Sequence, residues 1–316
     1  MDVLARVGYR RCNIGFSPHP FLQHSLESLP MFSKSRFFPC LALAMALGGT
    51  SGMALELPDG PYFGQKPPGQ TPELFTPGFT AFTPDQQECF LEKDGVIHFV
   101  RVKDGHWTGP FVASFLGNGA KGSDPKVTAD GHTLYFNREG TFWISRRKGN
   151  DWSAAERLPN QINSEQYACT ISFSKDGSAY FASQRPGTKG ACDIFFSKFK
   201  DGRYEEPSNL SVFNTPASEC MVCLSPKEDY VLFTGWGRSD GFGSADIYIS
   251  FRAKDGSWAA PQHLGPEFNT ADGEGPVTFS PDGRYLFFSR AQATGRTVYW
   301  VDVKVFDKYR PDRQGK

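Results

Sequence analysis

The chain has 316 residues with 34 basic and 34 acidic side chains, so its formal net charge at pH 7 is +0. A neutral balance gives no electrostatic reason to expect nucleic acid or an anionic membrane as a partner. Aromatic residues make up 15% of the sequence, which also contains 33 glycines. Short aromatic and β-branched runs separated by Gly, Pro, Asp and Asn predict an all-β protein.

The first 54 residues differ from the rest of the chain. From Met31 the sequence reads MFSKSRFFPCLALAMALGGTSGMALE: two basic residues, an apolar run, and small residues ending at Ala54. This order is typical of a secretory signal peptide, and the apolar run is too short for a permanent membrane span. We therefore predict a signal peptide over 31–54 and a periplasmic or secreted bacterial protein with no stable membrane span after cleavage. Residues 1–30 are expected to be a mis-assigned or disordered extension; the alternative is a disordered extension followed by an anchor.

A ten-residue pattern recurs five times in the remaining chain. Near the C-terminus it reads FSPDGRYLFF (279–288), a polar corner between two apolar runs. The other copies read FTPDQQECFL (82–91), VTADGHTLYF (127–136), FSKDGSAYFA (173–182) and LSPKEDYVLF (224–233). Asp-Gly between apolar runs predicts a hairpin, because the turn needs residues that tolerate positive φ. Two copies lack Asp-Gly, which favours a turn over a chemical role for this corner.

Each copy begins a unit that predicts four strands. After the turn come a second apolar strand, a variable loop and a third strand, which starts at Ile97, Phe142, Ile194, Ile247 or Val298. A second turn follows in four units: KDGHWTGP (103–110), KGNDWSAA (148–155), KDGRYEEP (200–207) and KDGSWAAP (254–261). The aromatic residue of this turn is expected to begin a fourth, outer strand. Such units, repeating every 45 to 55 residues, predict a β-propeller over 55–305 with a C-terminal tail over 306–316.

The number of turns predicts how the ring closes. Five first turns but only four second turns indicate five blades, with six as the fallback, and a last blade that lacks its outer strand. The segment PELF (72–75) resembles PSNL (207–210) and PQHL (261–264), which lie at outer-strand positions. We therefore predict that residues 72–75 supply the missing strand, because closure removes the exposed sheet edges of an open array.

The segments FSPDGRYLFFS, DIYIS, DGSWAAPQHLG and FNT resemble the WD-like propeller repeat of the periplasmic TolB type. The resemblance covers roughly residues 70–305, repeat by repeat. It implies a propeller fold and, commonly, a binding role. TolB also carries an N-terminal α/β domain that these residues do not match, so its role at the cell envelope is not transferred. The chain is more similar to secreted, propeller-only bacterial members of the family.

Five cysteines follow the predicted cleavage site: Cys89, Cys169, Cys192, Cys220 and Cys223. An odd number leaves at least one without an intramolecular disulfide partner. Cys220 and Cys223 have the spacing of a metal or redox pair, but residues three apart on a strand face opposite ways. We therefore expect Cys220 and Cys223 to behave as buried, small apolar side chains. A disulfide between Cys169 and Cys192 is an alternative that the sequence leaves undecided.

Acidic residues are expected at the mouth of the central channel. Asp124, Glu219 and Glu274 fall just before the predicted innermost strands of three units, and Glu165 joins them if its register is right. Carboxylates gathered at this rim could hold calcium through oxygen ligands or meet a basic partner. The alternative is that they are solvated loop acids. No other cofactor and no catalytic residue is predicted.

The loop TGWGRSDGFGSAD (234–246) is the longest connection between second and third strands. Loops on a rigid scaffold commonly carry binding residues. Trp236, Arg238 and Phe242 are therefore candidate ligand contacts, because the aromatic rings could stack on a sugar or anchor a peptide. The alternative is that the two aromatic side chains fold back onto the blade.

Two of the third strands begin with the same motif. DIFFS and DIYIS start at Asp193 and Asp246, and the loops before them carry Arg185 and Arg238. An Arg–Asp pair would brace each loop through charge-assisted hydrogen bonds. Contact between these residues and a ligand is the alternative interpretation.

The leading hypothesis is a non-catalytic binding or scaffold protein, expected to be monomeric, that presents a propeller face to an envelope protein or glycan. No G-x-S-x-G motif and no phosphate-binding glycine motif occurs in the sequence. Enzymatic activity is less favoured; its most plausible form is a glycoside-processing propeller that uses the rim carboxylates as acid and base. A structural repeat domain without a dedicated ligand is the third hypothesis.

Overall fold

The computed structural model describes residues 57–76, 78, 80–117, 120–292 and 295–311. The predicted signal peptide, the extension before it and residues 312–316 of the predicted tail lie outside this set. The described chain folds into five antiparallel blades arranged as a β-propeller. The predicted all-β class and the count of five blades are confirmed, and the six-bladed fallback is wrong.

Every blade contains four strands, in chain order in blades 1 to 4, and its first strand lies beside the central channel. A short strand, β1 (Glu73–Leu74), precedes blade 1. Blade 1 contains β2 (Ala81–Phe82), β3 (Glu88–Lys93), β4 (Val96–Lys103) and β5 (His106–Val112). Blade 2 contains β6 (Ser123–Val127), β7 (Thr133–Arg138), β8 (Thr141–Lys148) and β10 (Glu156–Arg157), with β9 (Asp151–Trp152) paired to the end of β8.

The remaining blades follow the same order. Blade 3 contains β11 (Ala168–Phe173), β12 (Ala179–Ser183), β13 (Asp193–Ser197) and β16 (Ser208–Asn209), with the hairpin β14 (Phe199–Lys200) and β15 (Arg203–Tyr204) between the last two. Blade 4 contains β17 (Ser218–Leu224), β18 (Tyr230–Trp236), β19 (Ala245–Phe251) and β20 (Gln262–His263). Blade 5 contains β21 (Glu274–Phe279), β22 (Tyr285–Gln292) and β23 (Gly295–Asp302), and its fourth strand is β1.

The ring closes through β1, as predicted. Glu73 pairs with Trp300 and Leu74 with Tyr299 in antiparallel register. Beside this strand, Phe75 is 2% exposed and its ring centroid lies 4.9 Å from that of Trp300. The N-terminal segment therefore supplies both an outer strand and part of the core between blades 5 and 1.

The five first turns occupy the same place in every blade. The Ser or Thr that begins the turn donates a hydrogen bond to an aspartate, as Ser280 does to Asp282 at 2.7 Å. The residue at the glycine position has positive φ in all five copies: Gln86, Gly131, Gly177, Glu228 and Gly283. The turn interpretation is confirmed, including the two copies without Asp-Gly.

A glycine is expected to stabilise the first turn of blade 1. Gln86 has φ 54°, a left-handed conformation that costs a residue with a Cβ about 1–2 kcal/mol. Gln86→Gly relieves this strain but loses the 3.3 Å hydrogen bond that the Gln86 side chain accepts from the Tyr62 N–H. The free energy of unfolding should therefore rise by up to about 1 kcal/mol, or the melting temperature by up to about 2–4 °C. Differential scanning calorimetry measures this directly. The neighbouring Gln87 lies outside the left-handed region, so Gln87→Gly should not stabilise; equal gains at both positions would contradict the explanation.

The outer strands differ from the prediction in three blades. Only in blade 1 does the aromatic residue of the second turn, Trp107, lie in the fourth strand. Trp152 and Tyr204 instead lie in the short hairpin strands β9 and β15, and Trp258 forms a single bridge with Arg252. The true outer strands of blades 2, 3 and 4 come later because each second turn closes a small hairpin first.

Three short 3-10 helices complete the described structure, at Pro61–Gly64, Ser114–Leu116 and Val303–Tyr309. The last of these follows β23 and buries Val305 and Phe306 against the core of blades 4 and 5. Arg310 then pairs with Asp229 at 2.6 Å, so the chain remains packed on the propeller up to that residue.

Candidate functional site

The central channel has two distinct ends. At the end where the innermost strands begin, which we call the start end, lie the predicted rim acids. At the end where these strands finish, which we call the turn end, lie the five first turns and an open cavity of about 480 Å³. The two ends differ in what their polar side chains contact.

Glu219 and Glu274 occupy equivalent positions at the start end. Both are fully buried, with 0% of the residue exposed. The hydroxyl of Thr215 donates to Glu219 and that of Thr270 to Glu274, each at 2.6 Å, and the backbone N–H of the same threonine donates to the second carboxylate oxygen. Both glutamates therefore hold the loops that enter their blades.

An arginine also reaches each glutamate, Arg238 from the loop after β18 and Arg290 from the second half of β22. Arg238 lies 3.1 Å from Glu219, and Arg290 lies 3.9 Å from Glu274. Burial raises the pKa of both carboxyl groups, and the threonine and arginine contacts oppose that rise. Burying a carboxylate is costly unless it is hydrogen-bonded and paired, so these contacts offset the cost.

Asp124 lies apart from the two glutamates in register. Asp124 occupies a β-bulge of β6, with φ 50°. It lies four residues before the Ser or Thr that begins its first turn, whereas Glu219 and Glu274 lie six residues before theirs. Its carboxylate lies 3.4 Å from the ammonium of Lys126. Glu165 is exposed in the loop before β11. Within the described residues, no group of metal-binding side chains includes any of these four acids, and calcium binding remains a prediction.

The loop 234–246 folds partly onto its own blade. Arg238 stacks over the ring of Tyr248, with its Cζ 4.3 Å from the centroid, and pairs with Asp240 at 3.1 Å. Phe242 packs edge-on against His263 at 4.4 Å between centroids, yet it stays 55% exposed. Trp236 is half-buried at the end of β18. Phe242 is therefore the residue among the three candidates with most surface for a ligand.

The expected Arg–Asp braces are wrong. Asp193 accepts hydrogen bonds from the backbone of Lys189 and the side chain of Asn209, while Arg185 donates to backbone carbonyls of residues 161 and 162. Asp246 accepts from the backbone of the 242–243 segment and lies 3.3 Å from the ring of His263. Nearby backbone N–H groups outcompete the arginines because they are already fixed in place.

A set of buried asparagines at the start end was not predicted as functional or structural. Asn163, Asn214 and Asn269 each accept a hydrogen bond from, and donate one to, the backbone of a single residue in a third strand. For Asn214 that residue is Ile194, with both distances 2.9 Å. These side chains replace a strand partner where the outer strand is short. The FNT repeat contains two of them.

A ring of five side chains lines the turn-end cavity, one from each innermost strand. They share the position two residues before the Ser or Thr of the first turn: Ala81, Lys126, Ser172, Cys223 and Thr278. Lys126 is the charged member of this ring and is 5% exposed. Reading back two residues from the aligned turns would have found it, because the repeat alignment places all five on one level.

The Lys126 ammonium is held in place by its neighbours. Burial opposes its charge, but the carboxylate of Asp124 and the nearby Cys223 and Tyr135 raise the pKa of Lys126 above its ordinary value. Burial raises the pKa of Tyr135. Lys126 is therefore charged at neutral pH, and Tyr135 keeps its proton. The cavity presents a fixed cation and neutral hydroxyl groups.

Aromatic and turn residues form the rest of the cavity wall. Five aromatic residues contribute to the wall: Phe82, Tyr135, Phe173, Tyr204 and Phe279. Asp130 lies at the mouth, where the hydroxyl of Thr128 donates to its carboxylate and lowers its pKa. The arrangement combines apolar faces with a small number of fixed hydrogen-bonding groups, which is typical of small-ligand pockets.

Comparisons with known proteins return similar structures only. No protein-family model and no curated protein matches this chain. Similar solved structures include a TolB-like protein from Agrobacterium tumefaciens, 15% identical with a TM-score of 0.49, covering 75% of this chain and 77% of that one. TolB from Acinetobacter baumannii is 19% identical with a TM-score of 0.40, covering 70% of this chain and 52% of that one.

Enzymes occur among the similar structures as well. Oligogalacturonate lyase from Vibrio parahaemolyticus is 12% identical with a TM-score of 0.40, covering 75% of this chain and 63% of that one. This chain thus spans about half of the Acinetobacter protein and less than two thirds of the Vibrio protein. Such similarities say nothing about activity, and the five-bladed architecture rests on the strand pairing itself.

Membrane-spanning helices were sought in the part of the chain that the structure describes. No helix there has the length and apolar character needed to cross a bilayer. The predicted signal peptide over 31–54 lies outside the residues concerned.

Proposed function

We propose that this protein is a non-catalytic binding protein whose turn-end cavity takes the end of a glycan. The observation that carries the proposal is the open cavity of about 480 Å³, in which one buried lysine and several hydroxyl groups stand among aromatic side chains. Pockets that bind small ligands commonly have volumes of about 300–1,000 Å³. A space of this size suits one or two sugar rings.

The polar groups of the cavity match a polyhydroxyl ligand. The Lys126 ammonium has three N–H donors, so it can donate hydrogen bonds to ligand oxygens while its ion pair with Asp124 fixes its position. The Ser172 hydroxyl accepts a hydrogen bond from the backbone N–H of Leu224 and is also hydrogen-bonded to the Tyr135 side chain, so both hydroxyl groups are held in place at the cavity wall. The rings of Phe173 and Tyr204 can contact the apolar faces of a sugar.

The acids of the channel support binding over glycoside hydrolysis. A hydrolase of this type needs a carboxylic acid of raised pKa beside the scissile bond, with a second carboxylate about 5–10 Å away. Glu219 and Glu274 have raised pKa values but are fully buried at the start end and engaged by Thr and Arg. Burial also raises the pKa of Asp124, but its carboxylate is paired with Lys126 at 3.4 Å. At the turn end, the pKa of Asp130 is lowered by hydrogen bonding.

We place the binding event in the periplasm or outside the cell, with an envelope glycan as partner and the protein as a monomer. The support is the signal-like segment over 31–54 and the TolB-type repeat motifs. Fractionation of cells that express the full chain, with mass spectrometry of the mature N-terminus, tests this placement. A cytoplasmic protein that retains residues 1–54 would overturn it.

Replacement of Lys126 tests the binding site. Lys126→Met keeps most of the side-chain volume but removes a charged donor, which is worth about 1.5–3 kcal/mol in a hydrogen bond. We expect affinity for the saccharide bound by the parent to fall by about 10- to 100-fold. Isothermal titration calorimetry with neutral and acidic oligosaccharides, chosen after a glycan array, measures the change.

Two further variants separate binding from stability. Lys227→Met removes an exposed lysine from a first turn without touching the cavity and should bind as the parent does. The pair Asp124→Asn with Lys126→Met leaves no unpaired buried carboxylate and should fold while binding remains weak. A parent that binds no saccharide, or a Lys126→Met variant with parental affinity, would overturn the proposal. Selective capture of an envelope protein without saccharide binding would instead favour a protein ligand.

A further inference from the structure

Three cysteine thiols meet between blades 3 and 4, away from the proposed glycan cavity. The sulfur atoms of Cys169, Cys192 and Cys220 all lie within 4.8 Å of one another. Those of Cys169 and Cys192 are 3.7 Å apart. The five cysteines of the described chain are all free thiols. The cluster lies near the start end, because Cys169 and Cys220 belong to the first halves of β11 and β17.

The fold brings these residues together from three separate elements. Cys169 lies within the β-bulge of β11, and Cys220 directly precedes the β-bulge of β17; such bulges change where nearby side chains point. Cys192 ends the loop before β13, where its carbonyl accepts a hydrogen bond from the backbone of Glu219 at 2.8 Å. Cys220 therefore belongs with two thiols from blade 3, and Cys223 points instead to the channel.

The sulfur spacing fits shared coordination better than a disulfide. A disulfide needs about 2.05 Å between its sulfurs. Two thiolates on one tetrahedral zinc ion, each about 2.3 Å from the metal, stand roughly 3.8 Å apart. The separation of 3.7 Å between Cys169 and Cys192 is close to that value, and the upper limit of 4.8 Å for the cluster requires only small side-chain rotations.

We propose that Cys169, Cys192 and Cys220 bind one thiolate-preferring cation, Zn²⁺ or Cu(I). Thiolate sulfur selects these ions over Ca²⁺ and Mg²⁺, which require oxygen ligands. On binding, each coordinating thiol transfers its proton to solvent and forms a metal–sulfur bond, with no change of oxidation state. Cys192 is 1% exposed, and Cys169 and Cys220 are half-buried.

The bound ion would tie two blades together. Cys169 and Cys192 belong to blade 3, and Cys220 belongs to the innermost strand of blade 4. Ligands from separate elements convert metal affinity into folding free energy, because the unfolded chain does not hold them together. The proposal does not depend on the glycan cavity, and its failure would leave that proposal intact.

Metal titration of the reduced full chain, prepared anaerobically, tests the site. Co²⁺, used as a spectroscopic probe for Zn²⁺, should give a thiolate charge-transfer band that saturates at one ion per chain. Zn²⁺ and Cu(I) should each displace it, whereas Mg²⁺ should not. The bound fraction should release up to three protons into a weakly buffered solution and raise the melting temperature.

Alanine variants assign the ligands. Cys220→Ala should weaken Zn²⁺ or Cu(I) binding by at least about 100-fold, since loss of a supporting outer-shell group alone costs about 10- to 100-fold. Cys169→Ser provides a second variant if the first folds poorly by circular dichroism. Cys89→Ala removes a fully buried cysteine outside the cluster and should retain parental affinity. Absence of binding by the reduced parent, or equal affinity in all variants, would overturn the proposal, as would a Cys169–Cys192 disulfide that persists under reducing conditions.

Discussion

Deletion of residues 55–78 is expected to destabilise the entire propeller, lowering its free energy of unfolding by about 10 kcal/mol. The segment contains Tyr62, Phe63 and Phe75, each no more than 3% exposed. Removal of one buried aromatic side chain costs about 3–5 kcal/mol, and a whole domain is typically stable by only 5–15 kcal/mol. Loss of β1 also leaves the outer edge of β23 unpaired. Urea denaturation followed by circular dichroism measures the change.

Two single substitutions in the same segment test closure of the ring more mildly than the deletion, and one of them is the matched control for the other. Phe75→Ala should cost about 3–5 kcal/mol, because its ring packs between those of Phe287 and Trp300 with centroids 4.8 and 4.9 Å away. Leu74→Ala, at a position 57% exposed in β1, should change stability by less than about 0.5 kcal/mol. A truncated chain with the parental unfolding midpoint would contradict closure by β1.

Asn214→Ala is expected to lower the free energy of unfolding by about 3 kcal/mol or more. The side chain is 4% exposed and serves both the N–H and the carbonyl of Ile194, each at 2.9 Å. Each buried backbone group left without a partner costs about 1–3 kcal/mol. The melting temperature should fall by about 6–12 °C, since 1 kcal/mol shifts a domain of this size by about 2–4 °C. Differential scanning calorimetry measures it.

Asn160→Ala is the matched control for this prediction. Asn160 is exposed and contacts only the Arg157 side chain among the hydrogen bonds described, at 2.7 Å, so its removal should change stability by less than about 0.5 kcal/mol. Asn214→Asp offers a further comparison, because it keeps the acceptor for the Ile194 N–H but loses the donor. Comparable melting temperatures for Asn214→Ala and Asn160→Ala would refute the stabilising role of the hydrogen bonds between Asn214 and the Ile194 backbone.

The fold was predictable from the sequence because its signals are local and repeated. A turn that needs positive φ leaves the same pattern in every copy, even where Gln86 or Glu228 replaces glycine. Closure was predictable because a missing outer strand at one end and an unmatched segment, residues 72–75, complement each other. The outer strands were less predictable, since the hairpins around Trp152 and Tyr204 have the same composition as a strand start.

The site was only partly predictable because its contacts join residues far apart in the sequence. Lys126 could be found from the repeat register, but the pairing of Arg238 with Glu219 rather than Asp246 depends on how two loops pack. The same holds for the thiol cluster, in which Cys169 and Cys220 meet beside β-bulges that carry no sequence signature. Backbone irregularities decide such contacts, and composition does not reveal them.

The pairing of β1 with β23 has a consequence for how the molecule is made. Glu73 and Trp300, which lie side by side in blade 5, are roughly 230 positions apart along the chain, a sequence separation that favours slow folding. At a synthesis rate of about 5–20 residues per second, β1 is synthesised more than about ten seconds before its partner strand β23. During that interval Tyr62 and Phe75 lack their native neighbours Phe287 and Trp300, so the nascent polypeptide presents an aggregation-prone aromatic segment that a chaperone would be suited to cover.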